Sequence, residues 1–299
     1  LSSSSAASDV YKRQVFRTPI EKQGDGARMA QLRARITPFM LRRTKALVAG
    51  ELPPKVESVM PVELTGAQAD LYETIRLGME KTVREALQTK GLAPSQITIL
   101  DALLKLRQVC CHPQLVPLEA AAKVKTSAKL DHLMALLPEM LAEGRRVLVF
   151  SQFTSMLTLI EAELKARNLP WVKLTGQSVK RDAIIEQFTS GRVPLFLISL
   201  KAGGVGLNLP QADTVIHFDP WWNPAVEDQA TDRAHRIGQT QSLWVVKLVA
   251  QGTIEEKILA LQERKAELAD SLYSGAAARK EPLFTETDLT ELLQPLSVS

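Results

Sequence analysis

Short apolar runs alternate with stretches of helical spacing in the second half of the chain. The runs are rich in residues that favour strands, and they are RRVLVFSQ (145–152), WVKL (171–174), PLFLIS (194–199), DTVIHF (213–218) and SLWVVKLV (242–249). Amphipathic stretches, including 154–168 and 178–191, lie between them. Nearly continuous apolar strands that alternate with amphipathic helices predict a parallel sheet with helices on both faces.

Helical spacing also marks part of the chain before these runs. Between residues 62 and 109, Leu71, Ile75 and Met79 recur at four-residue intervals, and we expect helices there. Three further regions are less regular: a basic, mixed region with a Pro-Pro break (15–61), an Ala- and Lys-rich linker or surface loop (about 116–128), and a long charged helix (253–275) followed by a loose tail.

The loops that follow the predicted strands are the first place to look for a ligand site. Open parallel sheets bind ligands at the carboxyl ends of their strands. Four loops occupy that position here: SQFT (151–154), TGQS (175–178), SLKAGGVGLNL (199–209) and DPWWNP (219–224).

The segment after DPWWNP predicts a helix that reaches Gly238. Asn223 is a favourable N-cap, and Pro224 suits the first helical position. Gly238 suits the left-handed residue just after the end. An apolar stripe at helical spacing runs along it, formed by Val226, Ala230, Ala234 and Ile237.

Two arginines lie beside this apolar stripe. Arg236 shares a flank with Gln229 and Asp232, and Arg233 is close by. Two guanidinium groups on one flank of a buried helix indicate an anion-binding site. The alternative is that one arginine pairs with Asp228 or Asp232 as a structural brace.

Composition limits the class of protein without choosing its partner. The 299 residues suffice for one large or two smaller domains, and a net charge of +4 permits a nucleic-acid partner without requiring one. No apolar run approaches the roughly 18 residues that span a bilayer. Cys110 and Cys111 are adjacent, which argues against a structural disulfide and indicates a reducing cytosol. The four histidines show no zinc-ligand spacing.

The first residues do not look like part of a fold. LSSSSAASD (1–9) is not a signal peptide, and DVYKRQ (9–14) reads like the translated end of a sequencing-library transposon. We therefore expect residues 1–14 to be disordered or library-derived, and the natural sequence to begin near Val15 and to be truncated. A flexible native tail is the alternative.

Taken together, the loops resemble the SWI2/SNF2 (Rad54-like) branch of superfamily 2 helicase-type ATPases. SQFT is similar to motif IV of that family, SLKAGGVGLNLPQAD (199–213) to motif V, and DQATDRAHRIGQTQ (228–241) to motif VI. LRRTK and LPPK (41–55) and CCHP (110–113) occur in the family's order. The similarity extends from about residue 32 to 275, and AHRIGQ after DPWWNP is its most specific part.

The resemblance implies an α/β fold of the P-loop NTPase superfamily. We expect a RecA-like helicase C-terminal lobe, with a parallel sheet and helices on both faces, preceded by a helical protrusion. The implied division after residue 14 is the end of lobe 1 and a linker (15–61), the helical protrusion region (62–125), the RecA-like lobe (126–262), and the C-terminal helix and tail (263–299).

The resemblance also implies an ATP site between two lobes. Arg233 and Arg236 would be arginine fingers that stabilise charge on the transferred phosphoryl group, and Gln229 would help to position them. Gly204 and Gly206 would let the backbone approach the nucleotide, unless these glycines serve packing alone. Leu200 departs from the family pattern, which usually has Thr there, so a hydroxyl that could bond a phosphate is absent. The hydroxyl of neighbouring Ser199 either takes its place or does not.

DNA contacts are expected at the strand-end loops, to backbone phosphates and without base reading. The alternative for each residue alone is an ordinary solvated side chain. Trp221 and Trp222 either stack on bases or, as the resemblance favours, lock the DPWWNP loop by packing. Arg42, Arg43 and Lys45 either clamp phosphate or pair across to lobe 1. The strand-end candidates are Gln152, Thr154, Thr175, Gly176, Arg181, Lys201 and Asn208.

The sequence contains no GxxxxGK[ST] pattern and no DExH-type acidic box. In the family these belong to lobe 1, so ATP with Mg²⁺ would be held mainly there, and we expect no metal ligands in this chain. The chain alone is expected to bind ATP weakly at best and not to hydrolyse it.

The implied function is that of a DNA-dependent ATPase that translocates on double-stranded DNA and remodels protein–DNA complexes, RNA polymerase among the candidates. We expect a monomeric bacterial protein of the cytoplasm and nucleoid, with no membrane partner. One alternative is a strand-separating helicase, against which Thr-Gln after AHRIGQ argues. The other is a non-catalytic DNA-binding or scaffold module, against which the retained arginines argue.

Overall fold

The computed structural model describes residues 26–28, 31, 52–203, 206–236, 238–273 and 292–293. The chain divides into two compact units, residues 1–50 with 265–285, and residues 51–264 with 286–299. In the first unit the described residues are helical. The second unit contains the sheet. The predictions for residues 1–14, Arg42, Arg43 and Lys45 lie outside the described residues.

The second unit is built on a six-stranded parallel sheet, as the sequence predicts. The strand order is β1-β6-β5-β2-β4-β3, and every neighbouring pair is parallel. The central strands β2, β4 and β5 are buried at every position, which explains their mostly apolar sequences. The bounds are β1 Lys55–Glu63, β2 Val147–Ser151, β3 Val172–Leu174, β4 Leu195–Ser199, β5 Thr214–His217 and β6 Leu243–Gln251.

Helices cover both faces of the sheet. Val147 and Val149 of β2 belong to one apolar cluster, and Leu148 and Phe150 belong to the other. None of the helices in the described part of the chain is long and apolar enough to cross a membrane. Their bounds are α1 Gly66–Lys90, α2 Leu92–Cys111, α3 Glu119–Ala122, α4 Ala128–Ala142, α5 Thr154–Ala166, α6 Arg181–Thr189, α7 Leu200–Gly203, α8 Pro224–Thr231 and α9 Ile254–Tyr273, with a 3₁₀ turn at Pro113–Leu115.

The first strand was not predicted. The sequence-based division places most of it in the linker region 15–61, yet Lys55–Glu63 pairs with β6 along its whole length. As an edge strand, β1 leaves Val56 and Val59 exposed, so it lacks the apolar run that marks the other strands. Pro61, which argues against a central strand, is tolerated at an edge. The linker prediction is therefore wrong for these residues, while the rest of the domain division stays a prediction.

Candidate functional site

Three neighbouring strands bring the predicted DNA-binding residues to the edge of the sheet where the carboxyl ends of the strands lie. Strands β3, β4 and β2 are adjacent and parallel, so the loops after them leave the sheet at the same edge. Among the seven residues, Gln152, Thr175 and Arg181 are half-buried, and the other four are exposed. Together they form a polar surface, called here the strand-end surface: Gln152, Thr154, Thr175, Gly176, Arg181, Lys201 and Asn208.

Local hydrogen bonds fix parts of the strand-end surface. Arg181 Nη2 donates to the carbonyl oxygen of Ala202 at 3.4 Å, which brings Arg181 beside Lys201. The Thr175 N–H donates to Ser178 Oγ at 2.8 Å, and the hydroxyl of Thr175 accepts from the Gln177 N–H. Arg181 and Thr175 thus belong to ordered loops that present the exposed residues between them.

The loop after β4 gives the surroundings of Leu200 and of the neighbouring Ser199 hydroxyl. Leu200 packs into an apolar cluster and is only 6% exposed. Ser199 is buried, and its Oγ accepts a hydrogen bond from the Ala202 N–H at 3.3 Å. Gly206 adopts a left-handed backbone, with φ at 66°, and is exposed. Gly204 lies outside the described residues.

The predicted helix with the two arginines is shorter than the sequence indicates. Asn223 Oδ1 accepts from the Ala225 N–H at 3.1 Å, so the predicted N-cap is confirmed. Gly238 has the predicted left-handed backbone, with φ at 102°, but it does not directly follow the helix. However, α8 ends at Thr231, and the arginines lie in the turns that follow. After Thr231 the backbone switches to bonds that span three residues: the Arg233 N–H donates to the Ala230 carbonyl oxygen at 3.2 Å, and the Ala234 N–H to that of Thr231 at 3.0 Å. The Arg233 carbonyl oxygen accepts from the Leu209 N–H at 2.8 Å.

These turns, residues 232–236, are called here the arginine turn. Besides the Leu209 bond, Gln239 Nε2 donates to the Ala212 carbonyl at 2.5 Å, and His235 Nε2 lies 2.9 Å from the Pro53 carbonyl oxygen. The Leu209 bond also connects the arginine turn to the loop that carries Gly206 and Asn208. The structure thereby joins the motif V and motif VI segments.

The two arginines of the turn influence each other electrostatically. The pKa of Arg233 is lowered, first by burial and then by the nearby positive charge of Arg236, while Asp232 opposes both. Arg236 is exposed, Arg233 is half-buried, and Gln229 is exposed on α8. A guanidinium group carries a positive charge and presents its N–H donors in a planar fork. Two like charges held close together fit an anionic ligand such as a phosphate group.

The DPWWNP loop is held by an arginine that sequence reasoning missed. Arg107 of α2 is buried, and its Nη2 donates to the Pro220 carbonyl oxygen at 2.8 Å. Its guanidinium carbon lies 5.1 Å from the ring centroid of Trp221 and 5.0 Å from that of Trp222. The cation–π contacts support the packing role of the two tryptophans.

Asp219 connects this loop to the end of β2. Its Oδ1 accepts from Ser151 Oγ at 2.5 Å, its Oδ2 accepts from the Gln152 N–H at 3.3 Å, and Arg107 Nη2 lies 3.9 Å away. Complete burial raises the pKa of Asp219 to about 6, although Arg107 and Lys129 act in the opposite direction. The loops after β2 and β5 are therefore linked through a buried carboxylate.

Glu227 of α8 also holds the DPWWNP loop in place. Its Oε1 accepts from the Trp221 N–H at 2.6 Å and from Gln262 Nε2 at 2.9 Å. Its Oε2 pairs with Lys247 Nζ at 2.9 Å. The acidic residue in the first turn of α8 thus fixes the loop rather than a ligand. No cluster of three or more His, Cys, Asp or Glu side chains suited to a metal ion occurs within the described residues.

Two family models match the chain. Residues 4–115 match the SNF2-related domain, and residues 128–238 match the helicase conserved C-terminal domain. The chain is 39% identical over 296 residues to a putative ATP-dependent helicase/translocase, YwqA, of Bacillus subtilis, covering 97% of this chain and 31% of that protein. It is 36% identical over 269 residues to the protein CHROMATIN REMODELING 4 of Arabidopsis thaliana, covering 85% of this chain and 12% of that protein. The chain thus spans a third or less of these relatives.

Solved structures agree with the sequence matches. The Sulfolobus solfataricus SWI2/SNF2 ATPase core in complex with dsDNA superimposes with a TM-score of 0.65 at 36% identity, covering 96% of this chain and 60% of that one. The C-terminal domain of the Sulfolobus solfataricus SWI2/SNF2 ATPase gives a TM-score of 0.62 at 30% identity, and the match covers 82% of this chain and 100% of that domain. The chain belongs to the SWI2/SNF2 family of helicase-type ATPases.

Proposed function

We propose that this chain forms the second lobe of a DNA-dependent ATPase that translocates on double-stranded DNA and remodels protein–DNA complexes. The arginine turn is the observation that carries the proposal. Arg233 and Arg236 are close enough for one charge to lower the pKa of the other, and backbone bonds from a neighbouring loop hold the turn in place. An anion bound between them would relieve this repulsion and accept several charge-assisted hydrogen bonds.

The anion that we assign to this site is the terminal phosphate of ATP. ATP supplies the phosphoryl group whose transfer releases the free energy for movement. Arg233 and Arg236 bind its oxygens and stabilise the charge that spreads over them in the transition state. Gln229 on α8 lies on the same segment and orients them, and Gly206 lets the neighbouring loop approach the nucleotide. Mg²⁺ and the remaining phosphates are assigned to a first lobe.

The strand-end surface is assigned to DNA. The Sulfolobus structure that resembles this chain is a complex with dsDNA. Here six polar residues and Gly176 share one sheet edge, and Lys201, Asn208, Thr154 and Gly176 are exposed there. Contacts of this kind bind phosphates and leave base identity unread, as a protein that moves along DNA requires. The remodelled complex, RNA polymerase among the candidates, the monomeric state and the nucleoid location belong to the same proposal.

A replacement of Arg236 tests the catalytic assignment. In a full-length protein that contains this chain and a first lobe, we expect Arg236→Ala to lower kcat for DNA-stimulated ATP hydrolysis by about 10³-fold or more. Arg236→Lys should also lose most of the activity, because lysine keeps the charge and loses the planar fork. DNA affinity should change less than about twofold, since the strand-end surface is intact.

The matched control is Arg192→Ala. Arg192 is an exposed arginine that pairs with Glu186 at 3.2 Å, outside the arginine turn. It should retain both turnover and DNA affinity. Substantial turnover by Arg236→Ala would show that Arg236 is not an arginine finger.

A further inference from the structure

The arginine turn is bonded to the chain segment that leads into β1. His235 lies between Arg233 and Arg236, and its Nε2 is 2.9 Å from the carbonyl oxygen of Pro53. A carbonyl oxygen can only accept a hydrogen bond, so Nε2 carries the proton and donates it. The contact joins residues 182 positions apart.

The acceptor sits on an unusually stiff piece of backbone. The rings of Pro53 and Pro54 fix their φ angles, and a residue that precedes proline is confined to extended conformations, which restricts Leu52 and Pro53 further. The Pro54 carbonyl oxygen accepts from the Leu243 N–H at 3.0 Å, just where β1 starts to pair with β6. The sheet therefore fixes the position of the carbonyl that His235 contacts.

The arginine turn is thus held from two directions. On one side the Leu209 N–H bonds the carbonyl oxygen of Arg233, and on the other side His235 bonds Pro53. The sequence-based division places the residues before β1 at the end of lobe 1 and in the linker. A shift in the position of that linker would therefore reach the arginine turn first at the Pro53 carbonyl.

We infer that His235 is a positioning residue that ties the arginine turn to the Leu52–Pro54 segment and so sets where the two guanidinium groups stand. This inference rests on the proposed function of Arg233 and Arg236. Misplacing a catalytic group by about 1 Å can cost on the order of 10²-fold in rate, so one hydrogen bond on the turn is enough to matter. The tie also gives the linker a physical route by which its position controls hydrolysis.

Side-chain geometry supplies the test. The amide nitrogen of glutamine reaches about as far as Nε2 of histidine, whereas that of asparagine reaches only as far as Nδ1. In the full-length protein we expect His235→Gln to keep kcat for ATP hydrolysis within about threefold. His235→Asn and His235→Leu should lower kcat by about 10- to 100-fold. The KM for ATP should change less than about threefold, because the lost stabilisation belongs mainly to the transition state.

A second variant tests the acceptor without touching the arginine turn. Pro53→Ala keeps the carbonyl and removes the ring that stiffens the segment, and we expect kcat to fall by about three- to tenfold. Pro117→Ala, at an exposed proline in the loop between α2 and α3, is the control and should leave kcat unchanged. The urea midpoint of every variant is measured in parallel, and Pro53→Ala decides the question if His235→Leu does not fold.

The outcomes separate this inference from the proposed function. If Arg236→Ala abolishes turnover while His235→Asn and Pro53→Ala retain full kcat, the tie is wrong and the arginine fingers stand. If His235→Gln loses as much activity as His235→Leu, the hydrogen bond is not what positions the turn, and the inference is overturned. If Arg236→Ala itself retains turnover, the proposed function fails first.

Discussion

The DPWWNP loop and the arginine turn are close in sequence, but they are stabilised in opposite ways. In the loop, buried charged groups are matched by partners within the fold: Arg107 contacts Pro220 and Asp219, and Glu227 binds the Trp221 N–H. In the arginine turn, the Leu209 N–H and the His235 side chain hold the backbone in place, while the Arg236 side chain is exposed.

This difference shows that the residues of a family motif need not all contact a ligand. The aspartate and tryptophans of DPWWNP have partners inside the fold, and burying them without such partners would be costly. Of the two arginines next to them, Arg236 has an exposed side chain, which a ligand can reach. We interpret the loop as the frame and the turn as the ligand-binding part of one site.

The largest expected effect comes from breaking the frame. Arg107→Leu removes the main favourable charge near the buried carboxylate of Asp219, and we expect the free energy of unfolding to fall by about 3–5 kcal/mol. Urea unfolding of the chain, followed by circular dichroism, measures this. The double variant Arg107→Leu/Asp219→Asn should recover part of the loss, because it also removes the stranded charge.

Arg145→Leu is the control for this prediction. Arg145 also lies over a tryptophan, with its guanidinium carbon 5.2 Å from the Trp244 ring centroid, but its side chain is 36% exposed. Its loss should cost less than about 1 kcal/mol. Equal costs for Arg107 and Arg145 would contradict the distinction between a buried frame and an accessible surface.

The sequence predicts the sheet well because buried strands carry a signal in their own residues. Strands β2, β4 and β5 are buried at every position and mostly apolar, so the sequence predicts them, whereas the edge strand β1 has exposed positions and a proline, so the sequence does not predict that strand. β1 is defined by its pairing with β6, and its own residues carry no pattern that predicts this pairing.

Features of the site that lack a signal in their own residues were likewise not predicted from the sequence. α8 ends at Thr231, where the backbone switches to bonds that span three residues, and no helix-end signal in the sequence predicts this switch. Arg107 contacts a carbonyl 113 positions away, so its pattern reads as an ordinary helical arginine. By contrast, the N-cap Asn223 and the left-handed backbone of Gly238 depend on local geometry, and the sequence predicts both.

A smaller effect separates two buried titratable groups near the end of β5. Burial raises the pKa of Asp219 to about 6, so the folded state binds a proton more readily than the unfolded state, and the contribution to stability falls as pH rises from about 4 to 6. Burial lowers the pKa of His217 to about 4, so its contribution rises with pH from about 4 to 6.5. Asp219 and His217 therefore contribute slopes of opposite sign to the plot of the free energy of unfolding against pH.

Single variants expose each slope. When the pH is raised from about 5 to about 6.5, the free energy of unfolding of Asp219→Asn should increase by about 1 kcal/mol relative to that of the unsubstituted chain. The reason is that the variant lacks the contribution of Asp219, which falls over this interval. His217 Nε2 lies 2.9 Å from Thr231 Oγ1, a contact that a glutamine amide can also make. Over the same pH interval, the free energy of unfolding of His217→Gln should fall by a similar amount relative to that of the unsubstituted chain. Urea unfolding at the two pH values measures both. Changes of the same sign in the two variants would be inconsistent with these pKa shifts.

The smallest expected effect lies on the strand-end surface, where a single phosphate contact is at stake. Lys201 is exposed after β4, and in the full-length protein Lys201→Ala should weaken duplex binding a few-fold, equally for unrelated sequences. The slope of log affinity against log salt should decrease in magnitude by about 0.9, the value for one phosphate. Lys165 is an exposed lysine in the last turn of α5, a helix that begins at the strand-end surface and runs away from it. Lys165→Ala should leave the slope unchanged, and an equal effect from both lysines would mean that the strand-end surface is not where DNA binds.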